Sequence, residues 1–274
     1  MPSINTNVAA IKARSNLDKV QRDLDTSIAR LSSGKRITRA HDDAAGTAIA
    51  GRMESQIRGL NQALRSAKDG QSMVDTQEGA LQEVSSILQR MRELAVQSSS
   101  AALTTTDKDY LQLEVNALVS EVNAIQANTR FNDVKTLSTA YSFYTDIDTS
   151  GTAFTIAAGT MSSAKLALSI GNVVISGSAG VVVDRVLTTI DNAIGTVDNR
   201  RATLGAASNR FDHIIDNLTN VIANTEGARS RVEDADFAVE TTELTRNTVL
   251  QQAATSMVAQ ANASKNSILA LIQG

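Results

Sequence analysis

Apolar residues between Met53 and Ala95 recur at steps of three or four, or of seven where a position is skipped. The stripe consists of Met53, Ile57, Leu60, Leu64, Ala67, Val74, Leu81, Val84, Leu88, Met91 and Ala95. This spacing predicts one amphipathic helix, and a mean step of about 3.5 residues favours packing in a left-handed bundle. Pro2 is the only proline, so no later residue forces a helix to stop. Residues 43 to 98 would form a helix about 80 Å long.

Two shorter segments flank this helix. Residues 4 to 31 carry an apolar stripe of the same kind, and Gly34 follows them. Gly34 is expected to be a C-cap, because glycine adopts the left-handed conformation that ends many helices. A third helix is expected after the long one, with Thr106 as its N-cap and Asp109 as an acidic residue in its first turn.

Helical spacing returns in the last third of the chain, after a stretch of different composition. Residues 132 to 180 are rich in Thr, Ser and Gly, and "AFTIAAGT", "KLALSI" and "NVVIS" predict short strands joined by turns. The apolar seam then continues from residue 190 to 222, with Arg201 and Ser208 at two of its positions, where they would set the register of packing. A last helix is predicted over residues 236 to 272. The predicted fold class is mainly α, an elongated helical bundle or coiled coil with a small β-hairpin insertion.

Charge and composition argue against several classes of protein. The net charge is −3 and no basic stripe with interleaved aromatic residues is present, so the sequence does not indicate nucleic-acid binding. The absence of cysteine excludes thiol catalysis, disulfides and Cys-ligated zinc. No apolar run is long enough to predict membrane insertion, and the N-terminus has no pattern of a cleavable signal peptide.

The tripeptide His41-Asp42-Asp43 has two interpretations. It contains residue types that bind metals or activate water, but a metal site needs three or more convergent ligands, and the other histidine is distant in sequence. A joint between helices is favoured, in which Asp42 or Asp43 caps the second helix. The sequence contains no HExxH, GxSxG or GxxxxGK[ST] motif, so we expect no metal, no cofactor and no enzymatic activity.

The chain resembles bacterial flagellin at both ends. The N-terminal half contains "SINTNVAA", "SIARLSSGKRI", "DDAAGTAIA", "DGQSMVDTQEGALQEVSSILQRMRELAVQ" and "NTRFND", and the C-terminal half contains "RATLGAASNRF", "SRVEDADFA" and "VLQQAATSMVAQAN". The two segments that these stretches mark out, one at each end, together span about three-quarters of the chain. The sequence departs from the family in having His41 where Lys is common and "FND" where "FNG" is usual. Its short middle lacks the large outer domains of longer flagellins.

The resemblance implies a division of the chain into filament domains. Residues 1 to 42 and 236 to 274 would be the two halves of the filament-core coiled-coil domain. Residues 43 to 131 and 181 to 235 would form the helical rod domain, and residues 132 to 180 the β-rich insertion. The implied function is a structural subunit that polymerises into the flagellar filament for swimming, with terminal helices that become ordered on assembly. A hook–filament junction protein and a helical adaptor are the alternatives.

The resemblance also implies partners and a location. The main partner is the chain itself, as a helical homopolymer, and a flagellar export chaperone and a filament cap are expected. The protein would be extracellular, exported without a cleavable signal peptide. Ser and Thr residues of the insertion could carry O-linked glycans, but a plain polar surface is favoured.

A candidate recognition face lies on the second helix. Arg90, Leu94 and Gln97 recur at i, i+4 and i+7 and therefore share one side of a helix. The resemblance implies that a vertebrate Toll-like receptor contacts this side, at the positions that match Gln89, Arg90, Leu94 and Glu114. The other interpretation is lateral packing between subunits, which is favoured as the selected role.

Overall fold

Five helices dominate the part of the chain that the computed structural model describes, which is residues 6–145, 153–159, 161–168, 173–176 and 180–273. The mainly α class predicted from the sequence is confirmed. The helices are α1 (Val8–Ser33), α2 (Ala44–Ser98), α3 (Thr105–Asn128), α4 (Gly180–Glu233) and α5 (Phe237–Gln273).

The start of α3 lies two residues before the position expected for it. Thr104 is the N-cap, and its hydroxyl oxygen accepts the Asp107 N–H at 3.3 Å while Asp107 Oδ2 accepts the Thr104 N–H at 2.9 Å. This reciprocal pair satisfies two backbone donors, so Thr106 and Asp109 lie inside the helix instead. The hydrogen bonds from Thr104 hold the pKa of Asp107 below its ordinary value of 3.8.

Two small antiparallel hairpins follow α3. The first pairs β1 (Arg130–Phe131) with β2 (Val134–Lys135), and the second pairs β3 (Tyr141–Phe143) with β4 (Phe154–Ile156). Among the described residues of the three stretches predicted as strands, a strand occurs in "AFTIAAGT" and in neither of the others.

The prediction of strands in "KLALSI" and "NVVIS" is wrong for their described residues. Residues 165 to 167 lie in a turn, and neither residue 168 nor residues 173 to 176 form a strand; residues 169 to 172 lie outside the described part. A glutamine side chain takes the place of a strand partner. Gln112 of α3 accepts the Ile175 N–H at 2.6 Å and donates to the Val173 carbonyl at 3.0 Å. The apolar side chains of this segment are buried among helices, which explains an apolar run without sheet pairing.

The turn between β1 and β2 has an unusual backbone. Asn132 and Asp133 have φ of 49° and 63°, the left-handed pair that a two-residue type I′ hairpin turn requires. Asparagine and aspartate tolerate this conformation better than most residues, although glycine adopts it with least strain. The hairpin therefore forms with Asp133 at the position where the usual "FNG" motif has glycine.

The chain divides into two compact units. Unit 1 contains residues 1–57 and 223–274, and unit 2 contains residues 58–222. These boundaries fall inside α2 and α4, and the division into filament domains at 42/43 and 235/236 stays a prediction. Unit 2 holds the largest apolar core, and the Phe211 ring lies at its centre with Phe143 and Phe154 edge-on to it at centroid distances of 5.8 and 4.6 Å.

Candidate functional site

Helices α1 and α5 leave many of their large apolar side chains exposed. Among their described side chains, Leu24 is the one apolar residue that is buried. The large apolar side chains that remain exposed are Val8, Ile11, Ile28, Phe237, Val239, Val249, Leu250 and Met257. We call these eight residues the terminal apolar face. These side chains are 45% to 63% exposed and lie on several sides of the two helices, and so many exposed large apolar side chains indicate contact with another molecule.

Polar contacts hold α1 and α5 side by side in antiparallel orientation. The Asn7 amide donates to the Ala261 carbonyl at 3.0 Å, and the Gln251 amide donates to Gln21 at 2.5 Å. Near the other end of the pair, Arg30 Nη1 lies 3.0 Å from Glu240 Oε1. In these three contacts, residues later in α1 pair with residues earlier in α5. All three therefore fit one antiparallel register.

The joint after α1 is fixed by main-chain contacts within unit 1. Gly34 has φ of 71° and its N–H donates to the Arg30 carbonyl at 2.8 Å, so it caps α1. The following residues pair with the turn between α4 and α5. The Arg36 N–H donates to the Glu233 carbonyl at 2.7 Å, and the Ala235 N–H donates to the Gly34 carbonyl at 3.0 Å. The Lys35 ammonium adds an ion pair with Glu233.

Asp42 and Asp43 have separate tasks, and only one of them caps a helix. Asp43 is the residue before α2, and its Oδ1 accepts the Gly46 N–H at 2.8 Å as an N-cap does. Asp42 instead closes the loop before the helix, so its assignment as a cap is wrong. Its Oδ2 accepts the Thr38 hydroxyl at 2.9 Å and the Arg39 N–H at 2.9 Å.

The environment of Asp42 favours its charged form. The hydrogen bond from the Thr38 hydroxyl, followed by that from the Arg39 N–H, lowers the pKa of Asp42 below its ordinary value of 3.8. His41 Nε2 lies 3.1 Å from Asp42 Oδ1 and the histidine side chain is mostly exposed. No group of three or more His, Cys, Asp or Glu side chains suited to a metal occurs in the described part of the chain.

The candidate recognition face is only partly exposed. Gln89, Arg90 and Gln97 lie on the surface of α2, and Glu114 of α3 is half-buried beside them. Leu94 is 0% exposed and belongs to the core of unit 2, so its placement on an exposed face is corrected. A helix that packs against neighbours on a wide arc buries positions on both sides of its main stripe, and Leu94 lies on that arc next to Met91 and Ala95.

Arg90 is held between two carboxylates. Its Nε and Nη2 each lie 2.9 Å from Glu114 Oε1, and its Nη1 lies 3.1 Å from Glu93 Oε2. Hydrogen bonding to Glu114, with a smaller contribution from Glu93, raises the pKa of the Arg90 guanidinium. The guanidinium is therefore presented in one orientation, beside the Glu114 carboxylate and the neutral amides of Gln89 and Gln97.

The charged residue in the α4 seam is not the one expected from the sequence. Arg200, and not Arg201, lies on the buried face with Val197 and Leu204. Arg201 lies on the flank and forms an ion pair with Glu78 at 2.8 Å. The spacing contains the correct signal, because Arg200 is three residues after Val197 and four before Leu204.

Two models of known protein families match the chain, one at each end. Residues 4–142 match the bacterial flagellin N-terminal helical region, and residues 187–272 match the bacterial flagellin C-terminal helical region. Together these matches cover most of the chain. No helix in the described residues has the length and apolar character needed to cross a membrane.

Similar proteins match over nearly their whole length. Flagellin of Halalkalibacterium halodurans is 40% identical over 280 residues, which is 98% of this chain and 99% of that protein. The flagellar filament 33 kDa core protein of Treponema phagedenis is 35% identical, with 98% and 99% covered. The crystal structure of Bacillus cereus flagellin aligns over 56% of this chain and 88% of that chain, at 29% identity and a TM-score of 0.49. Both terminal family matches and the full-length sequence identity show that this chain belongs to the bacterial flagellin family.

Proposed function

We propose that this chain polymerises with copies of itself into the bacterial flagellar filament through the terminal apolar face of α1 and α5. The predicted structural role in the filament is supported by the family and by full-length relatives. The assembled chain would be extracellular.

The exposure of the terminal apolar face is the observation that carries this proposal. Ile11, Val249 and Met257 are 60%, 59% and 63% exposed. Full burial of one such side chain stabilises by about 1.5–3 kcal/mol. Eight of them covered by neighbouring copies would contribute enough to offset the loss of translational and side-chain freedom on association.

The same feature supports ordering of the terminal helices on assembly. Among their described side chains, α1 and α5 bury one apolar residue and leave eight large ones exposed, which gains little to offset the entropy of ordering the backbone, about 1–2 kcal/mol per residue. Neighbouring subunits would supply the missing apolar contacts. In the isolated subunit, α1 and α5 would therefore be only partly populated as helices.

Charged substitutions on the terminal apolar face test the proposal. Ile11→Asp and Val249→Asp place a carboxylate where an apolar contact is expected, and should abolish pelletable filaments after seeding. Lys12→Gln is the matched control, since Lys12 is exposed next to Ile11 and its side chain is already charged, so the substitution removes no apolar contact. Sedimentation measures assembly, and circular dichroism confirms that unit 2 remains folded.

The alternatives make different predictions in the same assay. A helical adaptor would give a soluble particle of defined size whether or not seeds are added. A hook–filament junction protein would bind filament ends without elongating them. Growth of normal filaments by both Asp variants would overturn the role of the terminal apolar face.

A second proposal concerns the surface formed by Gln89, Arg90, Gln97 and Glu114. The fixed orientation of Arg90 supports its use as a contact, because pre-organised arginines are common at the centres of interfaces. Lateral packing between subunits is the favoured use, and the Toll-like receptor is a second partner of the released subunit. The export chaperone, the filament cap and export without a cleavable signal peptide stay predictions.

A further inference from the structure

Arg200 is a buried cation without an acidic partner. It lies on the inner face of α4 and is 9% exposed. No carboxylate in the described part of the chain forms an ion pair with it. Desolvation of the guanidinium lowers the pKa of Arg200. Because an apolar residue at this position would avoid that desolvation, stability alone does not account for the arginine.

The partners of Arg200 are neutral oxygens from different segments of unit 2. Its Nη2 donates to the Ala157 carbonyl at 2.6 Å and to Gln77 Oε1 at 3.3 Å. The Gln77 amide in turn donates to the Thr136 carbonyl at 2.9 Å. We call these four residues the Arg200 network. Ala157 directly follows β4 and Thr136 directly follows β2, so the network joins both hairpins to helices α2 and α4.

The network supplies donors where the backbone lacks them. Helices satisfy their own interior carbonyls, but the residues that follow β2 and β4 lie outside any ladder. A buried carbonyl needs a donor, and here side chains of α2 and α4 provide it. The specific partners also fix position, because only one placement of each hairpin brings its carbonyl within reach.

Close packing around the guanidinium restricts the loop after β4. A Cβ atom at Gly159 would lie 2.2 Å from Arg200 Nε and 2.6 Å from its Cζ. The two groups therefore fit only because residue 159 has no side chain. Nε itself has no hydrogen-bond partner within the described residues, as expected for an atom covered by the glycine.

We propose that Arg200 is a positioning residue that holds the β3–β4 hairpin directly, at Ala157, and the β1–β2 hairpin through Gln77, which binds Thr136. The Arg200 network is a single attachment point whose loss releases the hairpins while the helices stay folded. Its acceptors are uncharged, so attachment does not depend on salt. The competing explanation is that Arg200 is an ordinary core residue whose removal loosens all of unit 2 alike.

Hydrogen exchange on the full chain, followed by mass spectrometry, distinguishes these explanations. Arg200→Met keeps the length and apolar stem of the side chain but removes its donors. Strand amides of β3 and β4 should then exchange about tenfold faster, which corresponds to 1.4 kcal/mol, while α2 and α4 exchange as before. Arg201→Met is the matched control, since Arg201 is adjacent but pairs on the flank with Glu78, and it should leave the strand amides unchanged.

A second variant and a salt series test the role of Arg200 further. Gly159→Ala should release the hairpin in the same way while Arg200 itself is not substituted. The new Cβ would displace the Arg200 guanidinium from its acceptors. Strand exchange in the unaltered chain should be equal at low and high salt. The inference is overturned if Arg200→Met leaves strand exchange unchanged or slows it, or if α2 and α4 lose protection to the same extent as the strands.

Discussion

Arg30 and Glu240 form an ion pair across α1 and α5, with Nη1 and Oε1 3.0 Å apart and the Glu240 residue only 7% exposed. Glu240→Ala should therefore destabilise unit 1 by about 1–3 kcal/mol, because the partly buried Arg30 guanidinium loses its charged acceptor. Because α1 and α5 are expected to be fully ordered only on assembly, amide exchange along α5 in the assembled filament measures the change.

Glu243 provides the control for this prediction. It lies one turn further along α5 and pairs with Arg246 at 2.9 Å on the surface. Glu243→Ala should change stability by no more than about 0.5 kcal/mol, since exposed pairs on a helix contribute little. Equal effects of the two substitutions would mean that the buried pair does not hold the helices in register.

Two glycines of α2 should respond in opposite directions to the same substitution. A Cβ at Gly70 would lie 2.6 Å from Phe211 Cζ, whereas a Cβ at Gly79 would meet nothing within 4 Å. Gly70→Ala should lower the free energy of unfolding by about 1–3 kcal/mol through overpacking against the Phe211 ring. Gly79→Ala should raise it by about 1 kcal/mol through helix propensity. Urea denaturation measures both changes, and a stabilising Gly70→Ala would show that Phe211 can move aside.

The hairpin turn at Asp133 gives a test of backbone strain. Asp133 has φ of 63°, which strongly disfavours β-branched residues. Asp133→Val should destabilise the β1–β2 hairpin by about 1–2 kcal/mol, and Asp133→Gly should be neutral or stabilising by up to about 1 kcal/mol. Exchange of the hairpin amides reports the difference. A valine variant as stable as the glycine variant would contradict the left-handed assignment.

The loop held by Asp42 should weaken in acid. Its pKa is lowered in the folded chain, so its contribution is fully present above the unfolded value and is lost as the pH falls through the lowered value, below 3.8. The Arg39 amide resonance, which reports the hydrogen bond to Asp42, should shift only in that range. Asp42→Asn should abolish the shift. A midpoint above 3.8 in the unaltered chain would show that the carboxylate is not held as described.

Sequence patterns predicted the helices better than the contacts between segments. Spacing alone placed the stripe of α2, because each of its turns presents one side to a core. Spacing did not predict the role of Gln112, whose side chain takes the place of a strand partner for residues 173 to 175. Hydrogen bonds between distant segments leave no pattern in the local sequence. The choice between Arg200 and Arg201 failed for a related reason. Periodicity leaves an error of one position, and the presence of a charge does not decide which residue is buried.

Leu94 shows the same limit on the candidate recognition face. Its spacing from Arg90 placed both on one side of α2, but the breadth of the buried arc is set by α3 and α4 as well. Leu94→Ala would remove a fully buried side chain and lower stability by about 2–5 kcal/mol. A loss of receptor signalling in that variant would reflect unfolding and carry no information about contact.

Arg90 is therefore the residue that tests receptor recognition. Its side chain is exposed yet held by Glu114 and Glu93, so Arg90→Ala removes a pre-organised contact without opening the core. We expect signalling by a matching Toll-like receptor to weaken by about tenfold, measured as the concentration of depolymerised subunit that gives a half-maximal response. Arg229→Ala is the control, because Arg229 has a comparable surface pair with Glu226 in unit 1.

Intact filaments should signal less than depolymerised subunits at equal mass, because lateral packing would cover Arg90. Equal potency of the two forms would show that this face stays open in the polymer and would refute its proposed use in packing.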